Sequence, residues 1–220
     1  MSAIVFDLDG TLIDSAPDIR AAANKMLDEQ GLEPLDLPTI VSFIGNGLPK
    51  LTERVMNARG LDLADHACLT EVVLNHYNAA SSDLTVPYPG VMEALEGLKN
   101  LGFRMGVCTN KPEAPARAIL EDMGMMPYFD AVVGGDSLDV KKPDRKPLIE
   151  TFNQLGAQGG LYVGDSEVDA ETAVNAGQRF ALFTEGYRKT PVTQVPHDYQ
   201  FSEFSQLVGI AETSIVELAV

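Results

Sequence analysis

Five short apolar segments recur along the chain, and each is almost continuously hydrophobic rather than alternating. They are Ala3–Phe6, Phe103–Cys108, Ala131–Val133, Leu161–Val163 and Phe180–Phe183. Runs of this kind are typical of strands covered on both faces, as in a parallel sheet. Apolar residues at steps of three and four predict helices between them, over Val91–Leu101, Pro112–Met123 and Leu148–Leu155. Alternating strands and helices predict an α/β fold with a doubly wound parallel sheet, a Rossmann-like core.

Residues 15–82 interrupt this alternation, because their helical periodicity continues without a convincing strand. One predicted helix face consists of Ile19, Ala22, Ala23, Met26 and Leu27. We therefore predict a core built from residues 1–14 and 83–220, with a helical cap domain, residues 15–82, inserted after the first strand. A cap in that position would cover the carboxyl ends of the strands, where doubly wound sheets bind their ligands.

Composition limits the partners of this chain. Its 220 residues are 45% hydrophobic and 22% charged, which predicts a folded globular protein. Its 32 acidic residues outweigh 16 Lys and Arg, giving a net charge of -16 that repels nucleic acid and anionic membranes. We expect neither as a partner. A small anionic substrate would need a local positive site or a bound cation.

The chain shows no basic stretch before an apolar run at its start, and no apolar segment approaches the ~18 residues that span a bilayer. We therefore expect a cytoplasmic protein. Cys68 and Cys108 do not form a C-x-x-C pair, and we expect both to be buried, reduced thiols.

Polar clusters occur at four places where predicted strands have ended. They are Asp7-Leu8-Asp9-Gly10-Thr11, Thr109-Asn110-Lys111, Lys141-Lys142-Pro143 and Gly164-Asp165-Ser166-Glu167-Val168-Asp169. A single strand-end aspartate is more simply a helix cap or a turn residue. In a doubly wound sheet, however, all four clusters would converge on one crevice, which favours a functional site.

The charge of these clusters predicts a bound cation. Asp7, Asp9, Asp165 and Asp169 with one lysine sum to about -3, and close like charges cost on the order of 4 kcal/mol per pair at intermediate dielectric. Oxygen ligands without His or Cys favour a hard ion that keeps waters, so Mg²⁺ is the expected cofactor. A structural Ca²⁺ site is the alternative, but the acids are not set in a twelve-residue calcium loop.

A cation, a lysine and the donors of Thr109 and Asn110 together make a phosphate-binding site. Asp7 at the end of a strand can then attack phosphorus, and Asp9 can protonate the leaving oxygen. That role needs a protonated Asp9, which crowding by other carboxylates would favour by raising its pKa. Gly10 would let the backbone turn sharply after the two acids.

At these residues the sequence resembles the haloacid dehalogenase superfamily. Asp7-Leu8-Asp9-Gly10-Thr11-Leu12 resembles its first motif, Thr109 the second, Lys142 the third and Gly164–Asp169 the fourth. The resemblance implies that Asp7 forms an aspartyl-phosphate and that Asp9 serves as general acid and then as general base. It also implies that Asp7, the backbone carbonyl of Asp9 and Asp165 hold Mg²⁺ with Asp169 beside them. Thr109 would bind the phosphoryl group, and Lys142 would neutralise developing charge.

Within that superfamily the longest matches are to the phosphoglycolate phosphatases. They are Asp14–Asp18, Ile44–Gly47, Tyr88–Val91, Gly164–Ala170 and Thr184–Arg188. This resemblance implies hydrolysis of 2-phosphoglycolate to glycolate and phosphate. The expected partner is thus a small phosphorylated metabolite, and we expect a monomer or homodimer. The chain departs from the pattern at Arg145, where relatives often carry a second proline, and this affects a loop more than the chemistry.

Substrate choice would depend on the cap. Gly45, Asn46 and Gly47 could bring backbone amides to a substrate carboxylate, and Lys50 or Arg54 could pair with it. The alternative is that Lys50 and Arg54, four residues apart on a predicted helix, are solvated surface residues.

Other functions remain open. Dehalogenases of the superfamily lack the second acid, so Asp9 argues against a dehalogenase. A phosphonate hydrolase would need a Schiff-base lysine, and nothing around Lys25 or Lys50 suggests one.

A hexose-phosphate mutase would usually have a histidine near Ile19, whereas His66 and His76 come later. The mutase is nevertheless the nearest alternative, together with other small-metabolite phosphatases. A receiver-type signalling domain also uses acids, a hydroxyl and a lysine around Mg²⁺, but it has no helical insertion.

Overall fold

The computed structural model describes residues 2–80 and 82–218. Its strands are β1 (Ala3–Phe6), β2 (Ile13–Asp14), β3 (Val86–Pro87), β4 (Arg104–Cys108), β5 (Ala131–Val133), β6 (Leu161–Gly164), β7 (Arg179–Phe183) and β8 (Tyr199–Phe201). Strands β2 and β3 form a small sheet of their own. The other six form one sheet in the order β5-β4-β1-β6-β7-β8, with every neighbouring pair parallel.

All five predicted strands belong to this sheet, and their ends differ from the prediction by no more than a residue. Strand β8 was missed. It lies at the edge of the sheet and alternates between half-buried Tyr199, exposed Gln200 and buried Phe201. An edge strand with one solvated face has no continuous apolar run, so the criterion used for the other strands cannot detect it.

Strand β1 lies between β4 and β6. Phe6, its last residue, pairs with Val107 of β4 and Val163 of β6. Because the strands are parallel, their carboxyl ends share one edge of the sheet. The residues that follow β1, β4 and β6 are therefore neighbours in space.

By its internal contacts the chain divides into two compact units, Met1–Ile13 with Pro87–Val220, and Asp14–Val86. The second unit contains helices α1 (Ala16–Glu29), α2 (Leu37–Phe43), α3 (Leu48–Arg59) and α4 (His66–Asn78). The predicted apolar face of α1 is buried. The Asp18 carboxylate fastens the start of this helix, because it accepts hydrogen bonds from the backbone of Leu84 and from both the backbone and hydroxyl of Thr85.

The larger unit places helices on both faces of its sheet. They are α5 (Val91–Asn100), α6 (Glu113–Asp122), α7 (Lys146–Gln154), α8 (Glu167–Ala176) and α9 (Leu207–Leu218). Alternate residues of β1 enter two different apolar clusters. Ile4 belongs to the cluster that contains Leu95 of α5, and Val5 to the cluster that contains Phe152 of α7. The prediction of a doubly wound α/β core is therefore confirmed.

Both cysteines are free thiols, as expected, but the expected burial is correct for Cys108 and wrong for Cys68. Burial raises the pKa of the Cys108 thiol to about 12, which keeps it protonated. Cys68 is exposed because α4 buries the face formed by Leu69, Val73 and Tyr77, and Cys68 lies outside it. Of the helices in the described residues, none has the length and apolar character needed to cross a bilayer.

Candidate active site

The site lies at the carboxyl ends of the three central strands. Asp7 directly follows β1, Thr109 follows β4 and Asp165 follows β6. The sheet hydrogen bonding continues into the first two of these residues, since the Asp7 amide donates to the Val163 carbonyl (2.8 Å) and the Thr109 amide to the Val133 carbonyl (3.0 Å). The backbone of Asp7 and Thr109 is thus held by hydrogen bonds of the sheet.

Three carboxylates form the centre of the site. One oxygen each from Asp7, Asp165 and Asp169 lies within 4.8 Å of the others, and all three residues are buried. Burial, and then the charge of Asp169, raise the pKa of Asp7 to about 7. Burial and the charges of Asp169 and Asp7 also raise the pKa of Asp165. A buried set of oxygen donors with this excess of negative charge fits a hard divalent cation such as Mg²⁺.

Lys142 supplies a positive charge inside this cluster. Its Nζ lies 2.8 Å from Asp7 Oδ1 and 2.7 Å from Asp169 Oδ1, and it donates to the Tyr162 hydroxyl at 2.9 Å. Burial opposes the charge of Lys142, but Asp169 and Asp7 outweigh it and raise its pKa. Lys142 is therefore an ammonium group that bridges two of the three carboxylates.

Asp169 accepts four hydrogen bonds. Its Oδ1 accepts from Lys142 and, at 2.7 Å, from the hydroxyl of Tyr162, while its Oδ2 accepts from the amide (3.1 Å) and hydroxyl (2.6 Å) of Ser166. Burial would raise the pKa of Asp169, but Lys142 and these hydrogen bonds lower it overall. The ionised carboxylate is thus the form that this pocket stabilises.

Asp165 is held from two sides. Its Oδ1 accepts a hydrogen bond from the Thr11 hydroxyl at 2.9 Å, and its Oδ2 accepts one from the Tyr187 amide at 2.6 Å. Gly10 adopts a positive φ of 88°, and a Cβ at this position would lie 2.6 Å from Asp165 Oδ2. Gly10 therefore provides the turn that the sequence predicts and also the space that Asp165 occupies.

The side chain of Asp9 pairs with Lys111 and is not part of the carboxylate cluster. Lys111 Nζ lies 3.0 Å from Asp9 Oδ1 and 3.3 Å from Asp9 Oδ2, with 7% and 18% of the two side chains exposed. The side chain of Asp9 therefore has a cation at hydrogen-bond distance, and its crowding by other carboxylates stays a prediction. The sequence feature that could have indicated this pair is the position of Lys111 in the strand-end cluster that begins at Thr109.

Thr109 and Asn110 shape the loop that carries Lys111. Thr109 Oγ1 accepts a hydrogen bond from the Lys111 amide at 3.1 Å, and Asn110 Nδ2 donates to the Lys142 carbonyl at 3.1 Å. The loop after β4 is thus joined to the segment that presents Lys142.

Two tyrosines that were not predicted as site residues also contact the site. Tyr162 lies within β6 and would be expected to be a core residue, yet its hydroxyl reaches Lys142 and Asp169. Tyr187 contributes its backbone amide to Asp165. The role of Tyr162 could have been inferred from a tyrosine inside a continuous apolar strand, since a buried hydroxyl needs a hydrogen-bond partner.

In the helical unit, three of the five residues predicted to bind substrate make side-chain contacts with one another or with near neighbours. Arg54 donates to the carbonyl that ends α2 (2.6 Å) and to Asn46 Oδ1 (3.0 Å). Lys50 pairs at 2.6 Å with a glutamate three residues later, and its side chain is 45% exposed. Gly45 and Gly47 have positive φ angles of 124° and 83°. Arg54 thus closes a glycine-containing loop, whereas Lys50 lies at the surface of this unit.

Comparison with known proteins identifies the family. The model of the haloacid dehalogenase-like hydrolases matches residues 4–183. A phosphoglycolate phosphatase of Cereibacter sphaeroides is 51% identical over 209 residues, which cover 94% of this chain and 96% of the relative. One from Aquifex aeolicus is 39% identical over 219 residues, 99% of this chain and 100% of the relative.

Solved structures give the same result. A structure described as a predicted phosphoglycolate phosphatase from Haemophilus somnus superimposes with a TM-score of 0.90 at 30% identity, covering 96% of this chain and 97% of that one. The receiver-type alternative is set aside, because the relatives are enzymes and match almost the whole chain, including the helical insertion. The chain belongs to the haloacid dehalogenase-like hydrolases and is a phosphoric monoester hydrolase of that family.

Proposed function

We propose that this protein hydrolyses 2-phosphoglycolate to glycolate and phosphate, with Mg²⁺ as cofactor and an aspartyl-phosphate on Asp7 as intermediate. The substrate is inferred from the names of the relatives. The observation that carries the chemistry is the buried pairing of Asp7 with Lys142 at 2.8 Å, inside a cluster of three carboxylates at the strand ends. Such a pairing keeps a nucleophilic carboxylate oriented and balances the charge of an incoming phosphoryl group.

The chain's own donors fit the proposed cation. We assign it to the carboxylates of Asp7 and Asp165 and the backbone carbonyl of Asp9, with Asp169 beside them. When bound, Mg²⁺ would supply positive charge against the carboxylates and the phosphoryl oxygens. Thr11 and the Tyr187 amide hold Asp165 for this role.

Asp7 would attack phosphorus with a carboxylate oxygen while the bond from phosphorus to the ester oxygen breaks. Lys142 keeps that carboxylate in place and compensates the charge that moves onto the phosphoryl oxygens. Thr109 and Asn110, in the loop after β4, and the turn at Gly10 are proposed to bind those oxygens.

Asp9 would give its proton to the leaving oxygen, so that glycolate departs as an alcohol. It would then take a proton from the water that attacks the phosphorus of the aspartyl-phosphate, which releases phosphate and restores Asp7. The side chain of Asp9 is 18% exposed and lies outside the three-carboxylate cluster, which suits a group that exchanges protons with substrate and water.

The helical insertion, residues 15–82, is proposed as the cap domain. Within it, the backbone at Gly45, Asn46 and Gly47 and the side chains of Lys50 and Arg54 are proposed as further substrate contacts. Arg54 supports this role by holding the loop through Asn46.

The test is kcat/KM over a panel of phosphate monoesters with Mg²⁺, including 2-phosphoglycolate, glycerol 3-phosphate and hexose phosphates. We expect 2-phosphoglycolate to be the best substrate, EDTA to stop turnover and Mg²⁺ to restore it. If 2-phosphoglycolate ranks no higher than the others, the proposed substrate is wrong while the chemistry stands. Asp7→Asn, which keeps the size of the side chain, should abolish phosphate release with an unchanged circular dichroism spectrum. Substantial remaining turnover would refute Asp7 as nucleophile.

A further inference from the structure

Lys111 is a buried cation that the proposed mechanism does not use. Among the described residues, Lys111 and Lys142 are the buried lysines. Lys142 is engaged by Asp7, Asp169 and the hydroxyl of Tyr162. Lys111 has both oxygens of Asp9 within 3.3 Å. It therefore lies next to the group proposed to contact the ester oxygen of the substrate.

The covalent structure of the substrate places its carboxylate close to the ester oxygen, and therefore close to both Asp9 and Lys111. In 2-phosphoglycolate a single methylene separates the ester oxygen from the carboxylate. A proton donor must lie within hydrogen-bond distance of the ester oxygen. If Asp9 does so, a cation in contact with Asp9 is within reach of the carboxylate on the neighbouring carbon. An ester with an uncharged group at that carbon offers Lys111 no such partner.

The net charge of the site also favours contact between Lys111 and the substrate carboxylate. Asp7, Asp9, Asp165 and Asp169 face two ammonium groups, an excess of two negative charges before any cation binds. A substrate that brings a carboxylate in addition to its phosphate needs a positive group at its carboxylate end. A buried ammonium also needs an anionic partner. The substrate carboxylate can take that place when Asp9 turns to the ester oxygen.

The cationic side chains of the helical unit are less suited to binding the substrate carboxylate, because other groups already engage them. Arg54 is bonded to a carbonyl and to Asn46, and Lys50 is an exposed residue paired with a glutamate. Lys111 is carried by the same unit as Asp7 and Asp9, on a loop fixed to the central sheet through Thr109.

We propose that Lys111 is a specificity-determining residue that binds the carboxylate of the substrate and thereby selects phosphate esters with a carboxylate on the carbon next to the ester oxygen. The proposal rests on the proposed function, specifically on Asp9 as the group that contacts the ester oxygen.

The experiment compares 2-phosphoglycolate with ethyl phosphate, which replaces the carboxylate by a methyl group, for the wild type and Lys111→Met in the presence of Mg²⁺. The ratio of the two kcat/KM values should fall about 10- to 100-fold in the variant, the effect of one charge-assisted hydrogen bond. The loss should appear mainly as a higher KM for 2-phosphoglycolate. Lys146→Met is the control, because it removes an exposed lysine of the same unit and should leave the ratio unchanged.

A Lys111→Met ratio equal to that of the wild type would overturn the proposal, since Lys111 would then act on both substrates alike through Asp9. If Lys111→Met does not fold, Lys111→Arg and Lys111→Gln replace it. The arginine should retain the preference better than the glutamine, and equal ratios in these two variants would also overturn the proposal. A wild type without preference for 2-phosphoglycolate over ethyl phosphate would instead refute the proposed substrate. The two failures are therefore distinguishable.

Discussion

Asp169→Asn is the substitution that tests the electrostatic description of the site most directly. The asparagine keeps the shape of the side chain, removes its charge and replaces one accepting oxygen by an amide donor. Lys142 and the hydroxyl of Tyr162 approach one end of the carboxylate, and the amide and hydroxyl of Ser166 approach the other. In either orientation the new amide faces a group that can only donate, the ammonium or the backbone amide.

The expected change in the free energy of unfolding follows from two opposed effects. Removing one partner of a buried ion pair costs about 3–5 kcal/mol. Removing the charge of Asp169 also relieves its repulsion of Asp7 and Asp165, whose pKa values it raises. Because the pKa of Asp169 is lowered, the attraction to Lys142 and the hydrogen bonds dominate. We expect a net loss of about 2–3 kcal/mol in the free energy of unfolding, which reflects a partial offset of the ion-pair loss.

The measurement is urea unfolding at pH 7 in EDTA, followed by circular dichroism. The control, Asp139→Asn, removes an exposed carboxylate of the same unit, and its unfolding midpoint should match that of the wild type. Combining Asp169→Asn with Tyr162→Phe should cost less than the sum of the two single effects, because the two side chains share a hydrogen bond. If Asp169→Asn were as stable as Asp139→Asn, the buried carboxylate would not stabilise the fold and the reasoning would be refuted.

Three further variants test other parts of the site. Asp9→Asn should lose most activity toward 2-phosphoglycolate and less toward p-nitrophenyl phosphate, whose leaving group needs little protonation; equal losses in steady-state assays would contradict the acid role. Tyr162→Phe removes the hydroxyl that contacts Lys142 and should cost about 1–2 kcal/mol in urea unfolding, with a lower kcat and little change in KM; an unchanged kcat would leave the hydroxyl a purely structural role. Burial opposes the charge of Glu167, but backbone amides, including those of the loop after β7, lower its pKa. Its carboxylate thus stabilises the fold above the unfolded pKa, so the stability difference from Glu167→Gln should be present at pH 7 and shrink below about pH 4; a constant difference would contradict this.

Local patterns were sufficient for most of the fold. The continuous apolar runs located five strands of the sheet because a strand buried on both faces has no polar side. The same criterion missed β8, whose exposed Gln200 reflects its place at the edge. Cys68 shows a second limit, since its burial was predicted from residue type alone, whereas α4 buries the face formed by Leu69, Val73 and Tyr77.

The order of the chemical motifs along the chain was sufficient to identify the family and the residues that gather at the strand ends. Parallel strands bring their carboxyl ends to one edge, so Asp7, Thr109 and Asp165 could be placed together from sequence alone. Which side chains pair within that group could not. Lys111 and Asp9 are separated by 102 positions, and no local pattern relates them.

The sequence by itself therefore determined the α/β class, the family and the set of acids at the strand ends, because these depend on periodicity and on the identity of residues at strand ends. Only the tertiary structure decided that Lys142 bridges Asp7 and Asp169 and that Lys111 faces Asp9. The physical reason is that ion pairing depends on distances of a few ångströms between side chains. Those distances are set by the packing of the sheet and its loops as a whole.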